Sequence, residues 1–373
     1  MKRFVAGLLL IAICIGVLVG CKKNKYEPVP STEEEARTVM TINIGERCYE
    51  VRYELYRAFF LTYRREVDGG DASVWQGDGK EEYINRINEK IISEVTRIYA
   101  VFELCERLGI DLYSKEVEDE IYEMIEVSID GGTWGGENVA GFGGDSEKYR
   151  ESLRAAYHND STAMFLIRYG IGQRRIEEHY IGAESYVNDN GQITEGALKY
   201  TTEKVRNFYN SPDTSQILFT YITGKMDTKP KERAERVRES VIEAANSGAE
   251  AVRILMINSG HPTAFGEIEN GMVVGEHTLS RDYSAIYTAA SGLSDCEVSE
   301  VINTVSASDG ERYYVIYKAE KSEEYFEVNY AAVVESYLLD AVGSITDLIA
   351  KEMAQKISYT DAYGSIIHAE VKI

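Results

Sequence analysis

Apolar residues recur at spacings of three and four along most of residues 50–210, so this stretch reads as a series of amphipathic helices. A helix over about Val51–Arg65 carries Leu55, Phe59 and Tyr63 on one face. The clearest helix runs from Lys80 to Leu108, with Ile84, Ile87, Ile91, Ile98, Phe102 and Cys105 as its stripe. Gly109 stops it, and Ile110 supplies the apolar contact that follows a glycine-ended helix. The next helix starts from Ser114 as N-cap and turns Val117, Ile121, Met124 and Ile125 inward. Further helices are expected over 146–157, over 161–181 with Asp160 as N-cap, and over 195–209 after the turn "NDNGQ". Gly170 and Gly172 weaken the second of these and favour a kink in it. Before this helical run, Val39–Glu50 alternates about Gly45 as a short β-hairpin.

Beyond residue 210 the period shifts. Ser215–Ile222 and "YYVIYKAE" (313–320) alternate as strands. Between them, Pro230 opens a charged helix, Lys231–Ser247, which Gly248 ends; helices over Ala249–Ile257 and Ile286–Leu293 follow. Helix then resumes over Tyr325–Lys356, with Val328, Ala331, Val334, Leu338 and Val342 on one face, and Ser365–Ile373 alternates as a closing strand. This order predicts an α+β protein: a mainly helical domain interrupted by a compact α/β module.

The N-terminus changes where this fold must work. Lys2 and Arg3 precede an apolar run, Phe4–Val19, too short for a comfortable membrane span. The run ends in Leu18-Val19-Gly20-Cys21, which resembles the lipobox of bacterial lipoproteins; the resemblance implies lipidation at Cys21. Residues 1–21 are then a signal peptide and 22–37 a polar tether with Pro28 and Pro30. The expected location is outside the cytoplasmic membrane, anchored to it by acyl chains.

Net charge is −22, nearer −24 without Lys2 and Arg3, which argues against nucleic acid as a partner. Cys48, Cys105 and Cys296 are far apart and lack CxxC spacing; His158 and His179 have no partner at metal-ligand spacing. The glycine-rich stretch 131–144 holds no phosphate-cradle pattern and reads as a loop carrying Trp134 and Phe142. Paired acids such as Glu116/Asp119/Glu120 and Glu177/Glu178 read as solvated helix faces. No cofactor or metal is expected. Tyrosine, at 27 residues against 2 tryptophans, suits surfaces that meet other chains and leaves a homodimer open.

One segment carries a resemblance. "ASGLSDCEVSEVINT" is similar to the signature of parvulin-type peptidyl-prolyl isomerases at Ala290, Leu293, Glu297, Val298, Ser299, Val301 and Thr304, with Cys296 in place of the usual glycine. Upstream, "NSGAEAVRILMINS" keeps the family's Gly248 and Ser259, with Ala251 where phenylalanine is usual. "SQILF" and "RYYVIYK" resemble its first and last strands. Together with "FELCERLGIDLYSKEVED" and the lipobox, the layout resembles the SurA and PrsA class of extracytoplasmic foldases. The resemblance implies an N-terminal chaperone domain (38–210), a parvulin-like module (211–320) and a returning segment (321–373). The family's cleft carries two histidines and an apolar floor. Here Gln216 and Tyr314 stand at the histidine positions and Ile286 at the expected phenylalanine; His261 and His277 fall in the poorly aligned loop. The implied protein is a chaperone for unfolded, newly secreted polypeptides, with an isomerase module that has lost its imidazoles. An active isomerase and a scaffolding surface lipoprotein are the alternatives.

Overall fold

The computed structural model describes residues 26–371 apart from 69–71, 76–78, 135–136, 183–195, 225–226, 260–270, 280–283, 307–309 and 369–370. Cys21, His261 and the "NDNGQ" turn lie outside the described residues. The fold is α+β and mainly helical. The chain divides into two compact units, one holding residues 11–176 and 345–373 and the other residues 177–344.

In the first unit, α1 (Glu33–Ala36) leads into β1 (Thr38–Ile44), which pairs antiparallel with β2 (Arg47–Arg52) across Gly45-Glu46. The third strand of this sheet is β9 (Ile357–Tyr359), which pairs with the other edge of β1 (Met40 opposite Tyr359). After the hairpin come α2 (Tyr53–Asp68), α3 (Lys80–Arg107), α4 (Lys115–Asp130) and α5 (Ser146–Ala155), ahead of α6 (Asp160–Tyr180). The stripe read on α3 is buried, from Ile84 through Cys105. Its end is a Schellman turn: Ile110 N–H donates to Cys105 O (2.8 Å) and Gly109 N–H to Glu106 O (3.1 Å). Gly109 sits at φ +73°, where a side chain would be strained. Ser114 caps α4 by accepting from Val117 N–H, and Val117, Ile121, Met124 and Ile125 are buried.

The glycine-rich stretch is not simply a loop. It forms a small hairpin, β3 (Gly132–Trp134) with β4 (Glu137–Val139), and Phe142 packs half-buried against Tyr149 (6.2 Å). A Cβ on Gly141 would lie 2.1 Å from Gly131 N, so the two ends of the hairpin cross only because both are glycine.

Several boundaries differ from the sequence reading. Helix α6 (Asp160–Tyr180) is capped by Asn159, not Asp160. Asn159 Oδ1 accepts from Thr162 N–H (2.9 Å), while Asp160 is drawn into the interior by other contacts. Residues 365–368 form no strand. Ile366 is buried, and His368 stacks against Phe60 (5.3 Å) and meets Tyr56 Oη at 2.9 Å, so the alternation there fills an aromatic cluster instead of pairing. The helix read over Tyr325–Lys356 is two helices, α11 (Glu323–Val328) and α12 (Tyr330–Ala354). They break at Asn329, and Val328 is exposed instead of inward.

The second unit centres on a four-stranded antiparallel sheet, β6 (Met272–Val274), β5 (Ser215–Thr223), β8 (Gly310–Ala319) and β7 (Ile302–Ser306), in that spatial order. Helix α7 (Thr202–Asn210), capped by Thr201, enters it, starting later than the sequence suggests. Helices α8 (Pro230–Ala245) and α9 (Ala249–Ser259) cover one face, and α10 (Ser284–Gly292) covers the other. Each face has its own core, because successive side chains of a strand point to opposite sides. Leu218, Ile222, Val315 and Tyr317 join α8 and α9. Ile217, Phe219, Tyr221, Tyr314 and Ile316 join α10.

Candidate functional site

The structure separates the three cleft positions read from the sequence. Tyr314 on β8 stands directly opposite Tyr221 on β5, and Ile286 on α10 packs into the same cluster; both are fully buried. Gln216 does not join them. It stands opposite Ala319, five positions along the strand, which places it about 17 Å from the Tyr314 level. By alternation it also belongs to the opposite face of the sheet. The single cleft bordered by Gln216, Ile286 and Tyr314 is therefore absent: two of the residues meet and the third is elsewhere.

Gln216 has a different local role. Tyr209 Oη donates to its Oε1 at 2.7 Å, and Tyr209 Oη in turn accepts from Ser322 N–H at 2.9 Å. Lys321 Nζ donates to Ser211 O (2.6 Å) and Thr214 Oγ1 (2.9 Å). These bonds tie α7, the start of β5 and the exit from β8 together at the base of the sheet. Burial, aided by the Lys318 charge, brings the Lys321 ammonium down to about 8. His277 is also away from Tyr314: its N–H donates to Asp340 Oδ1 (2.8 Å), and its Cβ lies against Gly343 of α12. Cys296, which replaces the usual glycine, is exposed at φ +64°. Among the described residues, no group of three or more His, Cys, Asp or Glu side chains could hold a metal ion.

A cleft of about 660 Å³ opens in the first unit. It lies among the 28–31 segment, β2, α2, α3 and α6. Its wall is aromatic: Tyr49 against Tyr99 (5.1 Å) and Tyr99 against Phe165 (5.6 Å), with Phe165 in turn stacked on Phe102 (5.2 Å), which does not itself line the cleft. Leu55 and Met164 add aliphatic surface, and Tyr113, two-thirds exposed, stands at the rim beneath the Arg168 guanidinium (4.8 Å).

Charge is fixed around this wall. Glu54 is 3% exposed yet fully engaged, accepting from Ser31 Oγ (2.5 Å), Asn159 Nδ2 (2.8 Å) and Ser161 Oγ (2.8 Å). Beside the cleft, Glu103 accepts from Tyr49 Oη (2.7 Å), Arg47 and Arg107. Burial pushes the Glu103 carboxyl up, but hydrogen bonds from Arg107, Tyr49 and Arg47 outweigh it and hold the group below the usual carboxylate range. Tyr49 shifts the other way, upward through burial and then through Glu103. Such a surface combines flat apolar rings with prepaired polar groups. It suits the binding of extended chain.

Sequence reasoning missed this cleft. Its only trace was the abundance of tyrosine, because the walls come from segments more than a hundred residues apart.

No protein-family model matches the chain, and no curated protein matches it. Solved structures similar to this chain include two foldase proteins. The foldase protein PrsA from Streptococcus pneumoniae shares 15% identity over 88% of this chain and 98% of that one, with a TM-score of 0.30. The foldase protein PrsA from Lactococcus lactis shares 11% over 90% of this chain and 100% of that one, with a TM-score of 0.23. TM-scores this far below 0.5 carry no argument, so fold and function rest on this chain's own residues.

Proposed function

We propose that this protein is an extracytoplasmic chaperone of the foldase type, tethered to the membrane through Cys21, which holds unfolded, newly secreted polypeptides. The observation that carries this reading is the aromatic cleft of the first unit. Tyrosine and phenylalanine faces grip apolar and aromatic side chains with little loss of rotamer freedom, and each contact is weak enough to release. The acidic surface keeps a loaded complex soluble and favours basic clients.

The sheet of the second unit is the parvulin-like module in this reading, with little or no isomerase activity. Prolyl rotation must overcome roughly 20 kcal/mol, and an isomerase lowers this by stabilising the twisted bond. Tyr314 and Ile286 are buried in the apolar cluster against α10, and Gln216 is committed to Tyr209. The test is dilution of denatured client proteins with and without the full chain, alongside a proline-peptide isomerisation assay. Suppressed aggregation at near-stoichiometric amounts, reduced by Phe165→Ser, is expected. Catalytic acceleration of isomerisation, or unhindered aggregation, refutes the reading.

A further inference from the structure

Residues 26–37, expected as a loose tether, are not loose. Tyr26 is 5% exposed, its ring set edge-on to Tyr149 (5.9 Å) and capped by the Arg150 guanidinium (5.1 Å). Arg150 Nη2 donates to Glu27 O (2.8 Å), and Val29 N–H donates to Asp160 Oδ2 (2.6 Å). Arg150 Nε also donates to that Asp160 oxygen (3.3 Å), so the backbone clamp is itself braced. Ser31 Oγ reaches Glu54 (2.5 Å), and Thr32 then caps α1.

The pattern is that of a bound peptide. The protein takes the Glu27 carbonyl and the Val29 amide, while the side chains of Glu27 and Val29 face solvent. Two residues are read through their side chains, Tyr26 by its ring and Ser31 by its hydroxyl on Glu54. Pro28 and Pro30 flank the captured amide; they lack N–H groups needing partners, and their fixed φ lowers the entropy lost on docking. Backbone readout with one aromatic pocket does not depend on the segment being covalently attached.

We propose that "YEPVPS" (26–31) is a removable internal occupant of a peptide site, and that the site accepts extended, proline-bearing segments of other chains led by an aromatic residue. Docked, the segment also borders the aromatic cleft through Pro28, Val29, Pro30 and Ser31, so its release opens that edge to a client. The biological partner rests on the chaperone reading; the site itself does not.

The probe is a fluorescein-labelled YEPVPS peptide added to the full chain. In a Tyr26→Ala/Val29→Pro variant, which removes the ring and the donated amide, the peptide should bind at least about tenfold tighter than to wild type, the factor expected if the internal segment is docked nine-tenths of the time. A peptide carrying N-methylvaline should lose this binding. Equal affinity for both proteins, or no binding to a variant whose melting curve matches wild type, overturns the proposal. Should the variant not fold, hydrogen exchange at Val29 in wild type decides: millimolar peptide should accelerate it by displacement, and unchanged protection overturns the proposal. Peptide binding without suppression of client aggregation would retain the site and end the chaperone reading. Aggregation suppressed equally by wild type and variant, with no peptide bound, would end the internal-occupant proposal alone.

Discussion

Removing one hydroxyl at the base of the sheet, Tyr209→Phe, distinguishes a structural Gln216 from a catalytic one. The ring contacts survive, because phenylalanine still meets Phe326 (5.3 Å) and Tyr325 (6.1 Å). What is lost is the bond to Gln216 Oε1 at 2.7 Å and the acceptor for Ser322 N–H at 2.9 Å. Gln216 is 8% exposed, so its stranded oxygen costs about 1–3 kcal/mol. Ser322 is exposed and recruits water, adding about 0.5 kcal/mol. The expected loss is about 2–3 kcal/mol, confined to the second unit. Gln216→Leu removes the stranded group, so the double variant should fall short of additivity by about 1–2 kcal/mol. Both tryptophans lie in the first unit's residues, so intrinsic fluorescence is blind to this change. Hydrogen exchange at the β5 amides of Ile217 and Phe219 is the suitable assay. A Tyr209→Phe protein within about 0.5 kcal/mol of wild type, or strict additivity, would refute the clasp.

Three further outcomes are expected. Gly172→Val on α6 places a Cβ 2.9 Å from Val101 Cγ1 and 3.1 Å from Leu112 Cδ1; it should destabilise the first unit by about 2–3 kcal/mol, read by Trp75 fluorescence in urea. Burial lowers the His158 imidazole to about 4, so the unfolded chain takes up its proton first and stability drains away as pH falls from 6.5 towards 4. His158→Gln should therefore lose about 2 kcal/mol less than wild type between pH 7 and 4.5, measured by urea unfolding at each pH. Cys296→Gly relieves a left-handed side chain at φ +64° and should stabilise the second unit by about 1 kcal/mol, seen as slower β8 exchange.

What the sequence disclosed was local. The α3 stripe, its Schellman end at Gly109–Ile110 and the Ser114 cap are set by residues within a turn or two of each other, and the structure has all three. Short strands were harder. β6 is three residues long and β7 overlaps the end of the segment read for its family signature, so neither shows a period of its own. The terminal alternation at Ile366 and His368 misled, because a period of two also serves a chain that plugs an aromatic cluster.

The candidate site was less legible, for reasons of register and distance. Family positions align Gln216 with Tyr314, but strand pairing puts five residues and a sheet face between them. The captured Val29 amide lies 131 residues from Asp160, and nothing in the composition of a proline-bearing polar stretch shows that it docks. A break at Asn329 was hidden by good helix formers on both sides.

The central claim is that the first unit's aromatic cleft holds unfolded chain. The most direct measurement replaces Tyr113, 66% exposed at the cleft rim, with photoreactive benzoylphenylalanine, and compares it with the same replacement at Ile254, 50% exposed on α9 of the other unit. With a denatured client present, cross-linking at position 113 and little at 254 is predicted. Equal yields at the two positions, or capture only at 254, would contradict the account.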